Sequence, residues 1–155
     1  MPLRIEDYAL IGDCKSAALV GRDGSIDWLC WPRFDSAACF AALLGTRDNG
    51  HWQIAPRDNS RISRRYRAKT LILETRFETD SGAVTLVDFM PPQSENPTIV
   101  RLVFGERGSV ALHLDLVLRF GYGAIVPWVT IRSDGKVLAD LGERMPARRS
   151  LVGHR

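Results

Sequence analysis

Alternating apolar and polar residues mark the middle of the chain as β-structure. Within residues 70–79, one set of alternate positions is mainly apolar and the other is mainly charged, which is the period of two expected for a strand with one buried face. The first set is Leu71, Leu73, Thr75 and Phe77, and the second is Ile72, Glu74, Arg76 and Glu78. Another apolar run covers residues 83–90, after the sequence DSG at 80–82. The two runs and the turn between them predict a β-hairpin.

An earlier pair of apolar runs predicts a first hairpin. Residues 17–20 and 26–30 flank the sequence GRDG at 21–24, and Asp-Gly between such runs is a strong hairpin signal because glycine adopts the positive φ of a tight turn. Residues 8–11 are apolar enough for a strand that pairs with this hairpin. Pro32 cannot donate a ladder hydrogen bond, so regular pairing should end just before it.

The remaining strand-like runs complete an all-β pattern. They cover residues 51–54, 61–69, 99–104, 110–120, 128–132 and 136–138. The arginine-rich run is expected to be an edge strand with a solvated face. Residues 99–104 and 110–120 are expected to form a third hairpin, and residues 128–132 and 136–138 a fourth.

A single short helix is expected among these strands. Asp35 or Ser36 can cap a helix over residues 37–44, which Gly45 would end. Many short strands with Asp-Gly or Ser-Gly turns and one short helix indicate an antiparallel β-sandwich. The predicted fold class is therefore all-β.

Length and composition fit one compact domain. The chain has 155 residues, of which 45% are apolar, enough for a real core. There is no apolar run of roughly eighteen residues and no signal peptide at the start, so we expect no membrane partner and a cytoplasmic location. The net charge of +3 comes mainly from residues 140–155, with four arginines and two acidic residues. Because no recognised binding module accompanies the basic residues, we expect no nucleic-acid partner.

The cysteines do not predict a metal site. They are Cys14, Cys30 and Cys39. They lack both the CxxC spacing and the histidine cluster of a zinc site, so free, largely buried thiols are the favoured interpretation. A Cys14–Cys30 disulfide across the first hairpin is the alternative. We expect no metal and no cofactor.

The histidines give weak catalytic signals. His51 begins a strand without an acid or nucleophile nearby in sequence, which favours a structural or exposed histidine. His113 and Asp115 share one face of a strand, where a solvated cross-strand contact is favoured over an acid–base pair. The chain also lacks the P-loop, GxSxG, HExxH and dinucleotide-binding motifs.

Residues 5–45 resemble a known protein family. They read IEDYALIGDCKSAALVGRDGSIDWLCWPRFDSAACFAALLG. This stretch is similar to the N-terminal domain of bacterial and archaeal glycoside hydrolase family 15 proteins, the glucoamylase- and trehalase-like enzymes. Residues 66–92 and 119–129 resemble later parts of that domain. The resemblance implies a supersandwich-like β-sandwich that supports or docks to a helical (α/α)₆ catalytic barrel.

The resemblance also implies where catalysis takes place. Family 15 enzymes cleave α-glucosidic bonds with inversion, using two glutamates on the barrel, and glycoside hydrolysis needs two such positioned carboxyl groups. Nothing in this chain corresponds to those glutamates. We therefore expect no catalytic residue here and no activity from the chain alone. The expected partners are the missing barrel and, with it, α-glucosides.

The loop that follows the first hairpin contains the candidate site residues. The candidates for the rim of a sugar pocket or for interdomain docking are Trp31, Arg33, Phe34 and Asp35, with Asp27 on the preceding strand. Interfaces favour Trp and Arg because both combine large contact area with directional polar contacts.

A structural interpretation of the same stretch stays open. Trp28, Trp31 and Phe34 would then fill the core of the sandwich. A buried Asp27 would need a partner for its charge, and an arginine is the expected one. The candidate partners are Arg22 and Arg33.

Two other functions and the domain boundary complete the expectations. An independent carbohydrate-binding sandwich would use exposed Trp31, Trp52 or Trp128, and a homo-oligomer would form through exposed sheet edges. The domain is expected to span residues 1–139, followed by a basic, non-matching and disordered tail at 140–155. Because the resemblance ends within a predicted hairpin, a truncated domain with an appended terminus is favoured over a stand-alone protein with a basic end.

Overall fold

The computed structural model describes residues 3–92 and 96–140, and these residues form mainly β-strands. The strands are β1 (Tyr8–Gly12), β2 (Ala17–Gly21), β3 (Ser25–Cys30), β4 (Ala38–Phe40), β5 (His51–Pro56), β6 (Arg61–Tyr66), β7 (Leu73–Glu78), β8 (Gly82–Phe89), β9 (Val100–Gly108), β10 (Leu112–Val117), β11 (Trp128–Ile131) and β12 (Val137–Asp140). Single turns of 3₁₀ helix cover Ile5–Asp7, Ala42–Leu44 and Arg47–Asn49. Across the described residues, no helix has the length and apolar character needed to span a bilayer.

The strands form two antiparallel sheets and a separate hairpin. Sheet 1 has the order β1-β2-β3-β5-β10, with β4 also paired to β3, and sheet 2 has the order β6-β7-β8-β9. One edge of β3 pairs with β2, and the other edge is divided between two strands. Ser25 and Ile26 pair with β5, and Leu29 and Cys30 pair with β4. Strands β11 and β12 pair with each other. The predicted antiparallel all-β sandwich is confirmed.

The hydrophobic core lies between the two sheets. Its large, fully buried side chains include Ile11, Val20, Ile26, Leu29, Phe40, Leu73, Phe77 and Leu86. On β7 the burial alternates, with Leu73, Thr75 and Phe77 inside and the residues between them partly exposed. The face that the alternation predicted to be buried is therefore the face that packs against sheet 1.

The turn of the first hairpin depends on a glycine. Strands β2 and β3 pair as predicted, and Gly24 in the turn between them has a φ of 78°. A Cβ at this position would lie 2.3 Å from the carbonyl oxygen of Ile54. Glycine is needed here both for the left-handed backbone and for the close approach of the turn to β5. The predicted pairs β7–β8 and β11–β12 are also confirmed.

The predicted third hairpin, between residues 99–104 and 110–120, is wrong. Strand β9 pairs with β8 in sheet 2, whereas β10 pairs with β5 in sheet 1. Alternation identifies the buried face of a strand but not its neighbour. Leu112 of β10 packs against the cluster around Ile54, while Arg101 of β9 bonds to the β8 residue Asp88. These contacts hold the two strands in different sheets.

The predicted helix over residues 37–44 is also wrong. Strand β4, Ala38–Phe40, takes up its first half, and Ala42–Leu44 forms a single 3₁₀ turn. All three β4 residues are buried, because the strand is covered on both faces and pairs with β3. The expected caps, Asp35 and Ser36, instead bond to Arg33 within the preceding loop.

An arginine crosses the core and joins the two sheets. The Arg101 guanidinium on β9 donates to both carboxylate oxygens of Asp88, at 2.8 and 3.1 Å. It also donates to the backbone carbonyls of Trp52, at 2.6 Å, and Gly24, at 2.7 Å, which belong to the sheet 1 side. Both charged side chains are fully buried. Burying two charges is costly, and the bidentate contact with two extra carbonyl acceptors offsets that cost.

The predicted domain boundary falls at the end of the described residues. Asp140 closes β12, and residues 141–155 lie outside the described part of the chain. The boundary at residue 139 and the disordered tail at 140–155 therefore stay predictions.

Candidate functional site

The outward face of sheet 1 carries a connected set of polar side chains, which we call the polar face. Its members are Tyr8, Asp23, Ser25, Asp27, Arg47, His51, Gln53, His113 and Asp115. On β5, Trp52 and Ile54 pack towards the core, so His51 and Gln53 at the alternate positions point away from it. Asp115 pairs with Gln53 across β5 and β10, on the same face.

A β-bulge in β3 places Asp27 on the polar face. Leu19 pairs with Trp28 and Val20 with Ile26, so Asp27 is an extra residue without a Cα partner on β2. The bulge shifts the alternation of β3, which allows Ile26 and Leu29, three positions apart, both to face the core. The candidate Asp27 therefore lies outside the core.

Asp27 is buried with neutral partners. Its carboxylate accepts hydrogen bonds from the Tyr8 hydroxyl at 2.7 Å and the Ser25 hydroxyl at 2.5 Å. Burial, and then the hydrogen bond to Asp27, raise the pKa of the Tyr8 phenol, so Tyr8 stays a donor. The expected ion pair of Asp27 with Arg22 or Arg33 is wrong, because those arginines pair with Asp7 and Asp35; the bulge turns Asp27 towards β1 instead.

Asp23 and Gln53 continue the polar face towards β5. An Asp23 carboxylate oxygen accepts from the Ser25 backbone N–H at 3.2 Å, as expected for a turn residue. The other oxygen accepts from the Gln53 side-chain amide, also at 3.2 Å. Burial raises the pKa of Asp23. Gln53 uses its carbonyl oxygen to accept from Arg47 at 2.6 Å.

His51 lies at the centre of the network and is 1% exposed. Its Nδ1 donates to the backbone carbonyl of Arg47 at 2.9 Å. Its Nε2 lies 2.9 Å from Asp115 Oδ2 and 2.9 Å from Arg47 Nη2. The hydrogen bond with His51 is the main cause that lowers the pKa of Asp115, which is therefore a carboxylate at neutral pH. Asp115 makes a cross-strand contact, as expected, and its partner is His51 on β5. His113 contacts Gln53 instead, with His113 Nε2 3.3 Å from Gln53 Oε1.

A cleft of about 610 Å³ opens at one end of the polar face. Its lining includes Leu3, Asp23, Asp27, Thr46, Arg47 and Asp48. Carboxylates, a hydroxyl and a guanidinium can bind the hydroxyl groups of a sugar or the polar groups of a protein. Within residues 3–92 and 96–140, no group of three or more His, Cys, Asp or Glu side chains could hold a metal ion.

The loop at residues 31–36, which we call the 31–36 loop, separates its candidate residues. Trp31 is 8% exposed and belongs to the core, whereas Phe34 is 62% exposed. Arg33 and Asp35 are also exposed and form an ion pair at 3.1 Å, which lowers the pKa of Asp35. The Phe34 backbone N–H donates to the Lys15 carbonyl at 3.0 Å. The loop is thus anchored at Trp31 and presents Arg33, Phe34 and Asp35 to solvent.

The other tryptophans do not form one sugar-binding surface. Trp52 is partly buried and packs beside Arg101, whose guanidinium lies 5.2 Å from the centre of its ring. Trp28 packs with Tyr122, with ring centres 6.0 Å apart. Trp128, on the β11–β12 hairpin, is exposed. Of the three tryptophans considered for stand-alone sugar binding, Trp31 is therefore buried, Trp52 is partly buried and Trp128 is exposed.

The cysteines are three free thiols. Cys14 is exposed, and Cys30 and Cys39 are buried. The expected free thiols are confirmed, and the alternative Cys14–Cys30 disulfide is absent; the expected burial is confirmed for Cys30 and Cys39 and is wrong for Cys14.

Sequence reasoning missed the Asp88–Arg101 pair, although a signal was present. Asp88 is the single charged residue in the apolar run 83–90, and Arg101 is the single charged residue in the run 99–104. A charge in the middle of an apolar strand requires a buried partner. Two such charges of opposite sign in consecutive strands could have been paired.

Comparisons with known proteins agree on one family. A family model described as "Trehalase-like, N-terminal" matches residues 1–147. Trehalase 2 of Sulfolobus acidocaldarius is 32% identical over 129 residues, which cover 83% of this chain and 21% of that protein. The trehalase of Thermoplasma volcanium is 30% identical over 131 residues, covering 80% of this chain and 21% of that protein.

A bacterial relative matches a shorter stretch more closely. The trehalase of Mycolicibacterium smegmatis is 40% identical over 85 residues, which cover 54% of this chain and 13% of that protein. No solved structure matches the chain. The chain spans about a fifth or less of the length of these curated relatives. With its antiparallel β-sandwich and a family match over most of its length, the chain belongs to the trehalase-like N-terminal domain family, as its resemblance to glycoside hydrolase family 15 predicted.

Proposed function

We propose that this chain is the non-catalytic N-terminal β-sandwich of a trehalase-like glycoside hydrolase, and that it supports a helical (α/α)₆ catalytic barrel carried on another segment. The relatives are named trehalases, and their match to this chain covers only about a fifth of their length. The described polar face consists of groups that bond to one another and has no free pair of carboxyl groups arranged as a glycosidase requires. Its role is therefore docking rather than bond cleavage.

The observation that carries the proposal is the exposure of Phe34 on an anchored loop. Phe34 is 62% exposed on a backbone that is held in place, so its ring is available for contact with another surface. Trp31 in the core and the Phe34–Lys15 backbone hydrogen bond hold this backbone. Arg33 and Asp35 on either side supply charged groups that can bond across the rim of an interface.

A chimera tests the docking role of the 31–36 loop. The matching segment of Sulfolobus acidocaldarius Trehalase 2 is replaced by this chain, and Phe34→Ala is introduced. If Phe34 is buried against the barrel, the substitution should destabilise the chimera by about 1–3 kcal/mol, because that is the usual worth of burying an aromatic side chain. The same substitution should leave the melting temperature of the isolated chain unchanged. Differential scanning calorimetry measures both.

The control is Phe104→Ala, at another exposed phenylalanine on sheet 2. This substitution should lower the stability of the chimera by less than Phe34→Ala does. Equal effects of the two substitutions on the chimera would contradict docking through the 31–36 loop. Trehalose hydrolysis by the chimera, measured alongside, separates a pocket-rim role from a purely structural contact, since a rim residue would change turnover in a stable protein.

Carbohydrate binding by the sandwich itself is the second candidate, and the cleft at the polar face favours it. Asp23, Asp27 and Arg47 place two carboxylates and a guanidinium around a space large enough for a disaccharide. Titration with trehalose or maltose, followed by isothermal calorimetry, tests this function. No heat of binding at millimolar sugar would exclude it.

The proposed location is the cytoplasm. All three thiols are free, and free cysteines are typical of a reducing compartment. Alkylation of intact cells before lysis should modify the exposed Cys14, whereas an oxidised Cys14 would contradict this location.

A further inference from the structure

Strand β10 presents a free backbone edge. It is the last strand of sheet 1 and, among the described residues, it pairs along one side only, with β5. The Arg57 N–H donates to the Ala111 carbonyl at 2.9 Å, so the odd-numbered residues of this strand bond towards β5. The N–H and C=O groups of Leu112, Leu114 and Leu116 therefore point to the open side. An edge of this kind is a template for another strand.

The same strand exposes apolar side chains on the face that continues the core. Leu114 and Leu116 pair with Ile54 and Trp52, whose side chains pack in the core. Despite this position, Leu114 is 65% exposed and Leu116 is 38% exposed. Sheet 2 thus leaves this end of sheet 1 uncovered, and an added strand would bury both leucines.

We propose that β10 pairs in antiparallel fashion with β10 of a second copy of this chain, about a twofold axis at Leu114. In this register Leu114 faces Leu114 of the second copy, and Leu112 faces its Leu116. His113 faces Asp115 of the second copy, and by symmetry the contact occurs twice. The outcome is a sheet that runs continuously through both copies, with the leucines on its inner face. This inference does not depend on the proposed function.

Charge complementarity selects both the occupant and the register. An antiparallel partner fits this edge when it places a hydrogen-bond donor opposite Asp115 and an acidic acceptor opposite His113, and the strand itself does both. Sliding the copies by two residues in one direction would leave His113 facing His113 without an acidic partner, and in the other direction would oppose the carboxylates of Asp115 and Asp115. Like charges directly opposite each other are destabilising. Asp115 already bonds to His51, yet 49% of its side chain is exposed, which leaves room for this further contact.

The neighbouring hairpin restricts pairing to the first part of the edge. A groove of about 220 Å³ beside the end of β10 is lined by Leu116, Leu118, Val126, Val129 and Val137, so the β11–β12 hairpin lies against that end. Pairing is therefore limited to the stretch from Leu112 to Leu116, where Leu116 borders the groove, and the proposed twofold axis lies at the middle of this stretch.

Disulfide trapping tests the register. In a hydrogen-bonded antiparallel pair the two Cα atoms lie about 5.5 Å apart, within the range that a disulfide spans. In a Cys14→Ser background, Leu114→Cys should therefore form a covalent dimer on mild oxidation. Leu116→Cys is the matched control on the same strand and face; it would face Leu112 of the second copy and should stay monomeric. Two outcomes would overturn the proposed register: a covalent dimer from Leu116→Cys but not from Leu114→Cys, or no covalent dimer from either variant.

Sedimentation of uncross-linked protein tests the dimer itself. The chain should show a concentration-dependent monomer–dimer equilibrium. His113→Asp would oppose two carboxylates at each contact and should weaken the dimer roughly tenfold, while His113→Lys should keep or strengthen it, given the usual size of cross-strand charge effects. Thermal melting verifies that both variants are folded. A chain that is monomeric at every concentration, or equal effects of the two substitutions, would overturn the proposal.

Discussion

At the scale of single residues, the buried pair of Asp88 and Arg101 connects the strand pattern to the packing of the sheets. Each residue interrupts an otherwise apolar run, 83–90 for Asp88 and 99–104 for Arg101, although Thr85 is also polar, and the side chains of both are fully buried. Arg101 bonds both Asp88 oxygens and two carbonyls on the opposite sheet. The pair therefore sets how sheet 2 is positioned on sheet 1, in addition to holding β9 beside β8.

We expect Arg101→Leu to destabilise the chain by about 3–5 kcal/mol, because it leaves the Asp88 carboxylate buried without a partner. Urea unfolding followed by tryptophan fluorescence measures the change. Arg76→Leu is the control, since Arg76 pairs with Glu78 and Glu106 at the surface and such pairs are worth about 0–1 kcal/mol. Similar losses in both variants would contradict the role assigned to Arg101.

The polar face shows how single residues acquire roles that their neighbours in sequence do not reveal. His51 has no acidic neighbour along the chain, yet Asp115 lies 2.9 Å from its Nε2. Asp27 was expected to need an arginine, but a tyrosine and a serine hydroxyl hold it. Asp115 lies on β10, which is next to β5 only in the folded sheet, and Tyr8 lies on β1, on the far side of β2 from Asp27.

At the scale of elements, tight turns and strand faces follow from local sequence. The Asp-Gly signal predicted the β2–β3 hairpin, and the structure shows why glycine is needed at residue 24. One reason is the positive φ of Gly24. The other is that a Cβ on this residue would clash with the carbonyl oxygen of Ile54. The turn therefore also fixes the distance between this hairpin and β5.

We expect Gly24→Ala to destabilise the chain by more than the roughly 1–2 kcal/mol that the left-handed conformation alone costs. The added Cβ would lie 2.3 Å from Ile54 O, so β5 or the turn must also shift. Gly135→Ala is the matched control, because Gly135 has a φ of 80° and open space around its Cβ position. Thermal unfolding of both variants gives the difference, and equal destabilisation would contradict the close-contact argument.

Strand partners and the short helix belong to the same scale but were predicted wrongly. Strands β9 and β10 are consecutive in the chain and lie in different sheets. Residues 38–40 have apolar side chains that suit a helix or a strand, and pairing with the free half of the β3 edge decides for a strand. Local pattern determines which face is buried, whereas the neighbour depends on the whole sheet.

At the scale of the whole molecule, the described residues form a sandwich whose core is well covered on one side and open at β10. Tyr66 of β6 bonds to the Leu10 backbone of β1, which closes one side of the sandwich. At the opposite side Leu114 and Leu116 stay exposed. This asymmetry suits a domain that works by contact with other polypeptide segments, in line with its proposed supporting role.

We expect the purified chain to hydrolyse neither trehalose nor maltose nor soluble starch. The reason is that the polar face offers no free pair of carboxyl groups for acid and base roles, and the described Asp27 and Asp115 are held by other side chains. Glucose release is measured over hours, with Sulfolobus acidocaldarius Trehalase 2 as the positive control. Glucose release that co-purifies with the chain would contradict this expectation.

The amino-acid sequence by itself determined the all-β class, most hairpins, the buried face of β7 and membership of the family. It could do so because alternation, turn residues and a long matching segment are properties of contiguous residues. Only the tertiary structure decided that Trp31 belongs to the core while Phe34 is exposed, that a bulge turns Asp27 onto the polar face, and that His51 meets Asp115. These outcomes depend on sheet order and register, which arise from contacts between residues far apart in the chain. The same long-range packing joins Arg101 to Asp88 and leaves the edge of β10 open.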